Sequence, residues 1–338
     1  MQQAVNAAAP SIARADRAPR VTLAMPVYNG ERYMEDALRS MVAQDYGDLE
    51  ILINDNASTD RTAEIAQDFA AQDRRVRHVR NPTNLGAAPN YERGLELARG
   101  EFLKWCAHDD TMSRNYVSSC LRALDADRGA SMAFGRVQCI DSAGEYIPPR
   151  PGVQLGAVLH DDPAERFFHT IMNSGACYPI FGVFRTAALR KSLGHRPYYG
   201  SDRALLAELA LMGRLLEVRE AVAYNRDHDA RSMNMGDQRA KRRWQSAKAG
   251  RWANSVEINQ FLQFAEIARR HPEICPPRRA LRKVSAAALT LRQACLFGVD
   301  AIRWASPPLA ARLRDAADLA RARLRGPKKA GGRRRARA

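Results

Sequence analysis

Glu101-Phe102-Leu103-Lys104-Trp105-Cys106-Ala107-His108-Asp109-Asp110 is a short, largely apolar run that stops on two adjacent carboxylates. Apolar side chains favour burial, whereas neighbouring ionised aspartates repel each other and seek water or a cation. The pattern predicts a buried strand whose carboxyl end delivers Asp109 and Asp110 to a cleft. Such a pair of hard oxygen donors suits Mg2+ or Mn2+. The alternative is a solvated turn, since Asp is common in turns. The segments around this strand decide its setting.

Working outward, Val21 to Val27 reads as another buried strand, broken by Tyr28-Asn29-Gly30. Glu31 to Gln44 carries helical spacing (Tyr33, Ala37, Leu38, Met41), and Leu49 to Ile53 is a second β-branched run. The polar loop Asn54 to Asp60 follows, with Thr59 or Asp60 able to cap a helix through Ala70. Val76 to Val79 is a third strand, Asn84-Leu85-Gly86 a turn, and Ala88 to Ala98 a helix stopped by Gly100. Strands alternating with helices in this way predict an α/β fold with a mainly parallel sheet and flanking helices. Ligands of such sheets sit at the carboxyl ends of strands, where both Asp55 and Asp109 fall.

Further on, the pattern gives a helix to about Asp127, a strand from Ala133 to Ile140, and a Pro/Gly-rich loop, expected to be mobile, from Pro148 to Asp162. A helix from Glu165, a strand Ile180 to Arg185, a helix Ser201 to Met212 and a last strand Leu215 to Tyr224 complete this part. Beyond it the pattern is helical and rich in Arg and Ala, broken at Pro272, Pro276-Pro277 and Pro307-Pro308.

Charge follows the same division. The net charge is +16, yet from Asp237 onward 25 Lys and Arg face only 7 Asp and Glu. The first two-thirds is therefore near neutral, and a basic helical region follows it. Nucleic acid, an anionic membrane surface or a polyanionic substrate are the partner classes such a region admits. Residues 1–20 lack an apolar h-region and no run is long enough to span a bilayer, so a cytoplasmic protein is expected, with peripheral attachment to the inner face of the membrane as an option. The six cysteines show no CxxC spacing, which disfavours a zinc site.

Met25-Pro26-Val27-Tyr28-Asn29-Gly30, Asn54 to Asp60, Asn84-Leu85-Gly86 and His108-Asp109-Asp110 together resemble family-2 glycosyltransferases of the GT-A, Rossmann-like fold. The resemblance covers roughly Val21 to His228. It implies an inverting enzyme using a nucleotide-sugar donor and Mn2+ or Mg2+. By resemblance, Asp55 accepts a hydrogen bond from the pyrimidine ring. Pro26, Tyr28, Asn29 and Asn84 belong to the same nucleotide-sugar site. Asp109 and Asp110 match the metal motif, Asp109 also serving the ribose side, while His108 departs from the usual pattern and its role is open. The motif's customary first Asp is Asn54 here. The Asx-turn reading of Asp55 and the helix-cap reading of Asp110 stand beside these roles.

The second half must supply the acceptor site and the base. The resemblance places a carboxylate at the start of a cleft-lining helix, and Asp202 in Gly200-Ser201-Asp202-Arg203 fits, although Ser-Asp before an apolar helix is equally an N-cap signature. Glu208, further along, reads as structural. His228, in Asn225-Arg226-Asp227-His228, is either a metal-side donor residue or a solvated loop histidine. Arg226 and Arg231 with the loop after them form a candidate lid. The expected organisation is a lead-in over 1–20, a glycosyltransferase domain over 21–236 (nucleotide-sugar half 21–115, acceptor half 116–236), a basic helical extension over 237–325 and a disordered basic tail over 326–338.

The expected acceptor is a glycan or lipid-linked sugar, in cell-surface polysaccharide or glycolipid synthesis. Ala286 to Ala305 either lies in a membrane interface or packs as an ordinary helix. Two other readings compete. A nucleotidyltransferase of the same fold would carry a Gly-rich basic phosphate loop, which Pro26 to Gly30 does not supply. A non-catalytic basic protein binding nucleic acid or membrane would rest on the basic region alone. That region is poor in aromatics and holds no recognition module, so no specific nucleic acid is expected.

Overall fold

The computed structural model describes residues 17–148, 155–173, 175, 177–235, 238–246 and 256–290. The chain runs β1 (Val21–Val27), α1 (Met34–Val42), β2 (Leu49–Asp55), α2 (Thr62–Gln72), β3 (Val76–Arg80), α3 (Ala87–Leu97), β4 (Phe102–Trp105) and β5 (Thr111–Met112). It continues with α4 (Tyr116–Ala126), β6 (Ala130–Ile140), α5 (Pro163–Asn173), β7 (Val183–Arg185), α6 (Thr186–Lys191), α7 (Ser201–Met212) and β8 (Arg214–Arg226). Three further helices follow: α8 (Gln238–Gln245), α9 (Val256–Arg270) and α10 (Pro277–Ala288).

The eight strands among the described residues form one sheet in the order β3-β2-β1-β4-β7-β6-β8-β5. β1 and β2 are buried along their whole length, which explains their unbroken apolar runs. β1 pairs in parallel with both β2 and β4, and β2 with β3. The far half is mixed, because β7 runs antiparallel between β4 and β6, and β5 antiparallel against β8. β7 and β5 are three and two residues long, too short to leave a periodic signal.

One face of the sheet is covered by α1, α2 and α4 through Leu38, Met41, Ile65, Val117 and Leu121. The other is covered by α3, α6 and α7 through Leu95, Leu189, Leu205 and Leu209. A third cluster joins α5, α7, α9 and α10, with Phe167, Leu211, Phe264, Ile267 and Val284 at its centre. Pro272 and Pro276 lie between α9 and α10, and Pro277 opens α10 in the first turn, where its missing N–H leaves no helix bond unmade. Arg279 pairs with Asp162 and Lys283 with Glu165, so part of the basic region's charge docks α10 on α5. The Pro148 to Asp162 loop is anchored at its far end, where Val158 is buried and bridges to Leu215. Residues 149–154, the tail over 326–338 and most of the segment from Ala286 to Ala305 lie outside the described residues.

Candidate active site

The loops after β1 and β2 are hydrogen-bonded to each other. Asn29 sits in the left-handed region (φ +53°), with its amide donating to Ser58 Oγ at 2.9 Å and its Oδ1 accepting from the Thr59 amide at 2.8 Å. The Gly30 amide donates to Thr62 Oγ1, the Glu31 amide to Asp60, and the Arg61 amide to Glu31. Tyr28 is exposed at the rim while Pro26 is buried inside β1. A Cβ on Gly30 would stand 2.6 Å from Val27 and 3.1 Å from the His108 ring. Only glycine therefore admits the close seat of His108 under this loop.

Asp55 ends β2 with no side-chain exposure. Its Oδ1 accepts from the Ser58 amide at 2.8 Å, the Asx-turn pattern, and its Oδ2 from Arg80 at 2.6 Å, with His78 Nε2 3.7 Å away. Burial alone would raise this carboxyl. Contacts with His78 and Ser58 and the charge of Arg80 outweigh it and hold the pKa at about 2. Arg80 is 43% exposed while Asp55 is fully buried, so the pair meets solvent on its guanidinium side.

Asn84 belongs to an asparagine network. Its Oδ1 accepts from Asn56 Nδ2 at 2.9 Å and from the Gly86 amide at 2.8 Å. Asn81 donates to Asn56 and Asn90, and Asn54 and Asn90 bond reciprocally through side chain and backbone. Asn81 and Asn90 drew no notice in the sequence. The available signal was polar side chains clustered around a turn whose backbone groups need buried partners.

Asp109 and Asp110 follow β4 and meet the end of β8. His228 Nε2 donates to Asp109 Oδ2 at 2.9 Å. Asn225 Nδ2 reaches both Asp110 oxygens at 3.0–3.1 Å, and the Arg226 amide donates to Oδ1 at 2.8 Å. Burial by itself raises both carboxyls. For Asp109 the hydrogen bond from His228 and the nearby His108 win, and it is held low. For Asp110, burial and repulsion from Asp109 win, and it is pushed up. Arg226 is buried and committed to Asp109 O, Ser142 O and Asp36, so it braces the loop from inside.

Asp202 lies in the first turn of α7, after Gly200 in the left-handed region (φ +91°). It accepts from the Arg203 amide at 3.0 Å and from the Cys177 thiol, yet burial still raises its pKa. The phenols of Tyr91, Tyr198 and Tyr199, all pushed up chiefly by burial, feel its charge, and Tyr91 also feels the charges of Asp109 and Asp110. Tyr91 is thus within electrostatic reach of both carboxylate groups. It rests on Trp105, which is fully buried and donates its indole N–H to Tyr91 O at 3.1 Å. Glu208 is also fully buried, bonded to His271 Nε2 at 2.8 Å and to the Leu193 amide.

Residues 22–193 match the model for glycosyl transferase family 2. The chain belongs to that family. This glycosyltransferase is 26% identical over 192 residues to a GalNAc(5)-diNAcBac-PP-undecaprenol beta-1,3-glucosyltransferase of Campylobacter jejuni, a match covering 56% of the chain and 60% of the relative. It is 34% identical over 129 residues to an uncharacterised glycosyltransferase of Haemophilus influenzae, covering 38% and 51% respectively. The matches thus take in about half to three-fifths of these relatives' lengths. Among solved structures, S. aureus TarS 1–349 superposes with a TM-score of 0.55 at 15% identity, covering 84% of this chain and 80% of that one. The fold is GT-A and the enzyme class is transferase.

The family implies a divalent cation. Among the described residues no group of three or more His, Cys, Asp or Glu is arranged to hold one unaided. Asp109 and Asp110 nonetheless offer hard oxygen donors whose mutual repulsion a dication relieves, and His228 Nδ1 is buried without a hydrogen-bond partner. Mg2+-type sites characteristically take one or two carboxylates and complete their shell with substrate phosphates. The donor set fits a cation that arrives with a diphosphate.

Proposed function

We propose that this glycosyltransferase is inverting and moves a sugar from a nucleoside diphosphate donor to a hydroxyl of a glycan or lipid-linked acceptor in cell-surface polysaccharide or glycolipid synthesis. The observation that carries this reading is the joining of the β4 carboxylate pair to the Asn225–His228 segment, more than a hundred residues later in the chain. A nucleotide pocket over Tyr28, Asn29, Asp55 and Asn84 then adjoins a cation site at Asp109, Asp110 and His228, with Pro26 fixing the strand beneath. Mn2+ or Mg2+ bound there would act as a Lewis acid on the departing diphosphate.

The protein's own groups do the rest. Asp202 takes the acceptor proton as the hydroxyl oxygen bonds to the anomeric carbon, whose bond to the phosphate oxygen breaks on the opposite face. Its raised pKa suits a general base, because a carboxylate of ordinary pKa is weakly basic near neutrality. The hydrogen-bonded loops at Asn29 and Ser58 keep the donor site preorganised. The lipid-diphosphate acceptor in the C. jejuni relative's name supports the acceptor class. TarS 1–349 in complex with UDP-GlcNAc, at the same TM-score of 0.55, makes uridine nucleotides the first donors to try.

A panel of nucleoside diphosphates and their sugars, scored by thermal shift with and without Mn2+, tests the reading. At least one nucleotide should raise the melting temperature in a metal-dependent way, and Asp110→Ala should remove that dependence. Asp202→Asn should abolish transfer with donor binding intact. Failure of every nucleotide to stabilise the protein refutes the donor site, and full transfer by Asp202→Asn refutes the base.

A further inference from the structure

Helix α9 lies beyond the residues matched to the family, yet it grips the turn that carries Asp202. Gln260 Nε2 donates to Gly200 O at 2.8 Å, and Gln260 Oε1 accepts from Arg203 Nη1 at 3.3 Å. One turn along, Gln263 Oε1 accepts from the Tyr198 hydroxyl at 2.5 Å. Gln260 is 2% exposed and Gln263 4%, so neither amide is a solvated surface group. A Cβ on Gly200 would stand 3.4 Å from Gln260 Nε2 and 3.6 Å from Val256, which shows how closely α9 follows the turn. Phe264, Ile267 and Ala268 hold α9 in place by packing with Ala204, Ala207 and Leu211 of α7.

This geometry has a use. Gly200 ends the left-handed step into α7, and Arg203 supplies the amide that bonds Asp202. One buried amide satisfies a carbonyl on one side of Asp202 and a guanidinium on the other. The backbone before the carboxylate and the Arg203 side chain after it are thereby tied to a single buried side chain. A helix start is otherwise free to fray, because its first N–H groups have no partner within the helix. We infer that Gln260 is a positioning residue for Asp202, supplied by the C-terminal helices, and that it sets the direction in which the carboxylate meets the acceptor hydroxyl. The inference rests on the reading of Asp202 as the base. A shift of about 1 Å in a reacting group can cost on the order of a hundredfold in rate, so loss of this double tether is large enough to read kinetically.

The test uses the full chain and a nucleotide sugar that stabilises it. Gln260→Met keeps the volume and removes both hydrogen bonds. Phe264→Leu, buried on the same helix, weakens packing without touching the turn. Gln260→Met should lower kcat about tenfold with donor KM and donor binding within twofold of the parent, whereas Phe264→Leu should lower the melting temperature and leave kcat near the parent value. Wild-type kcat in Gln260→Met overturns the inference, as does a loss in Gln260→Met that Phe264→Leu reproduces. If Asp202→Asn is inactive while Gln260→Met is unimpaired, only the positioning role falls. Full transfer by Asp202→Asn removes the base and the inference together.

Discussion

Replacing Asp55 by Asn keeps the shape of the side chain and deletes its charge, and the structure sets the size and pH dependence of the effect. The folded pKa is about 2 against a reference of 3.8. A difference of that size corresponds to about 2.5 kcal/mol at neutral pH, at about 1.4 kcal/mol per unit. Arg80 is 43% exposed, so solvent screens part of the ion pair and about 2 kcal/mol is the better figure. Because the folded pKa is lowered, the stabilisation is complete above the unfolded value. It shrinks as the pH falls, to about half near pH 3 and a few tenths of a kcal/mol near pH 2. Urea denaturation of wild type and Asp55→Asn in steps from pH 7 down to pH 3 measures the gap. A gap that stays constant over this range, or is absent at pH 7, would refute the account of Asp55 as a carboxylate held ionised by Arg80 and Ser58.

Two further outcomes follow from other parts of the molecule. His271→Ala should cost about 3 kcal/mol in urea denaturation, because it leaves the fully buried Glu208 without its nearest partner; a loss below about 1 kcal/mol would show that Arg270, 3.7 Å away, is partner enough. The basic C-terminal region is proposed to attach the enzyme to anionic membrane at about 1 kcal/mol per basic residue near the surface. Flotation with phosphatidylserine vesicles should therefore succeed at low salt and fail at high salt, and no flotation at low salt removes the proposal.

The half of the fold that is legible in the sequence is the half built from local rules. β1, β2 and β4 announce themselves as apolar runs because both their faces are buried, and the loops at Asn29, Asp55 and Asp109 stand out because they end those runs. What escapes is settled by contacts between distant segments. Nothing local to Asp55 indicates Arg80 as its partner, and nothing in Asn225–His228 gives the register that brings β8 to Asp110. The two residues of β5 exist as a strand only because β8 pairs with them. Gln260 is hardest of all: a glutamine on a polar-looking helix reads as surface until α7 is packed against it.

The eight-stranded sheet has a mechanical consequence. The two halves of the chain meet at two places in it: β4 pairs with β7 near the centre, and β5, from the first half, crosses to pair with β8 at the far edge. A hinge between the halves would have to break both short pairings at once. The return of β5 thus ties the Asp110 loop to the end of β8 from two directions, by backbone pairing as well as by side chain.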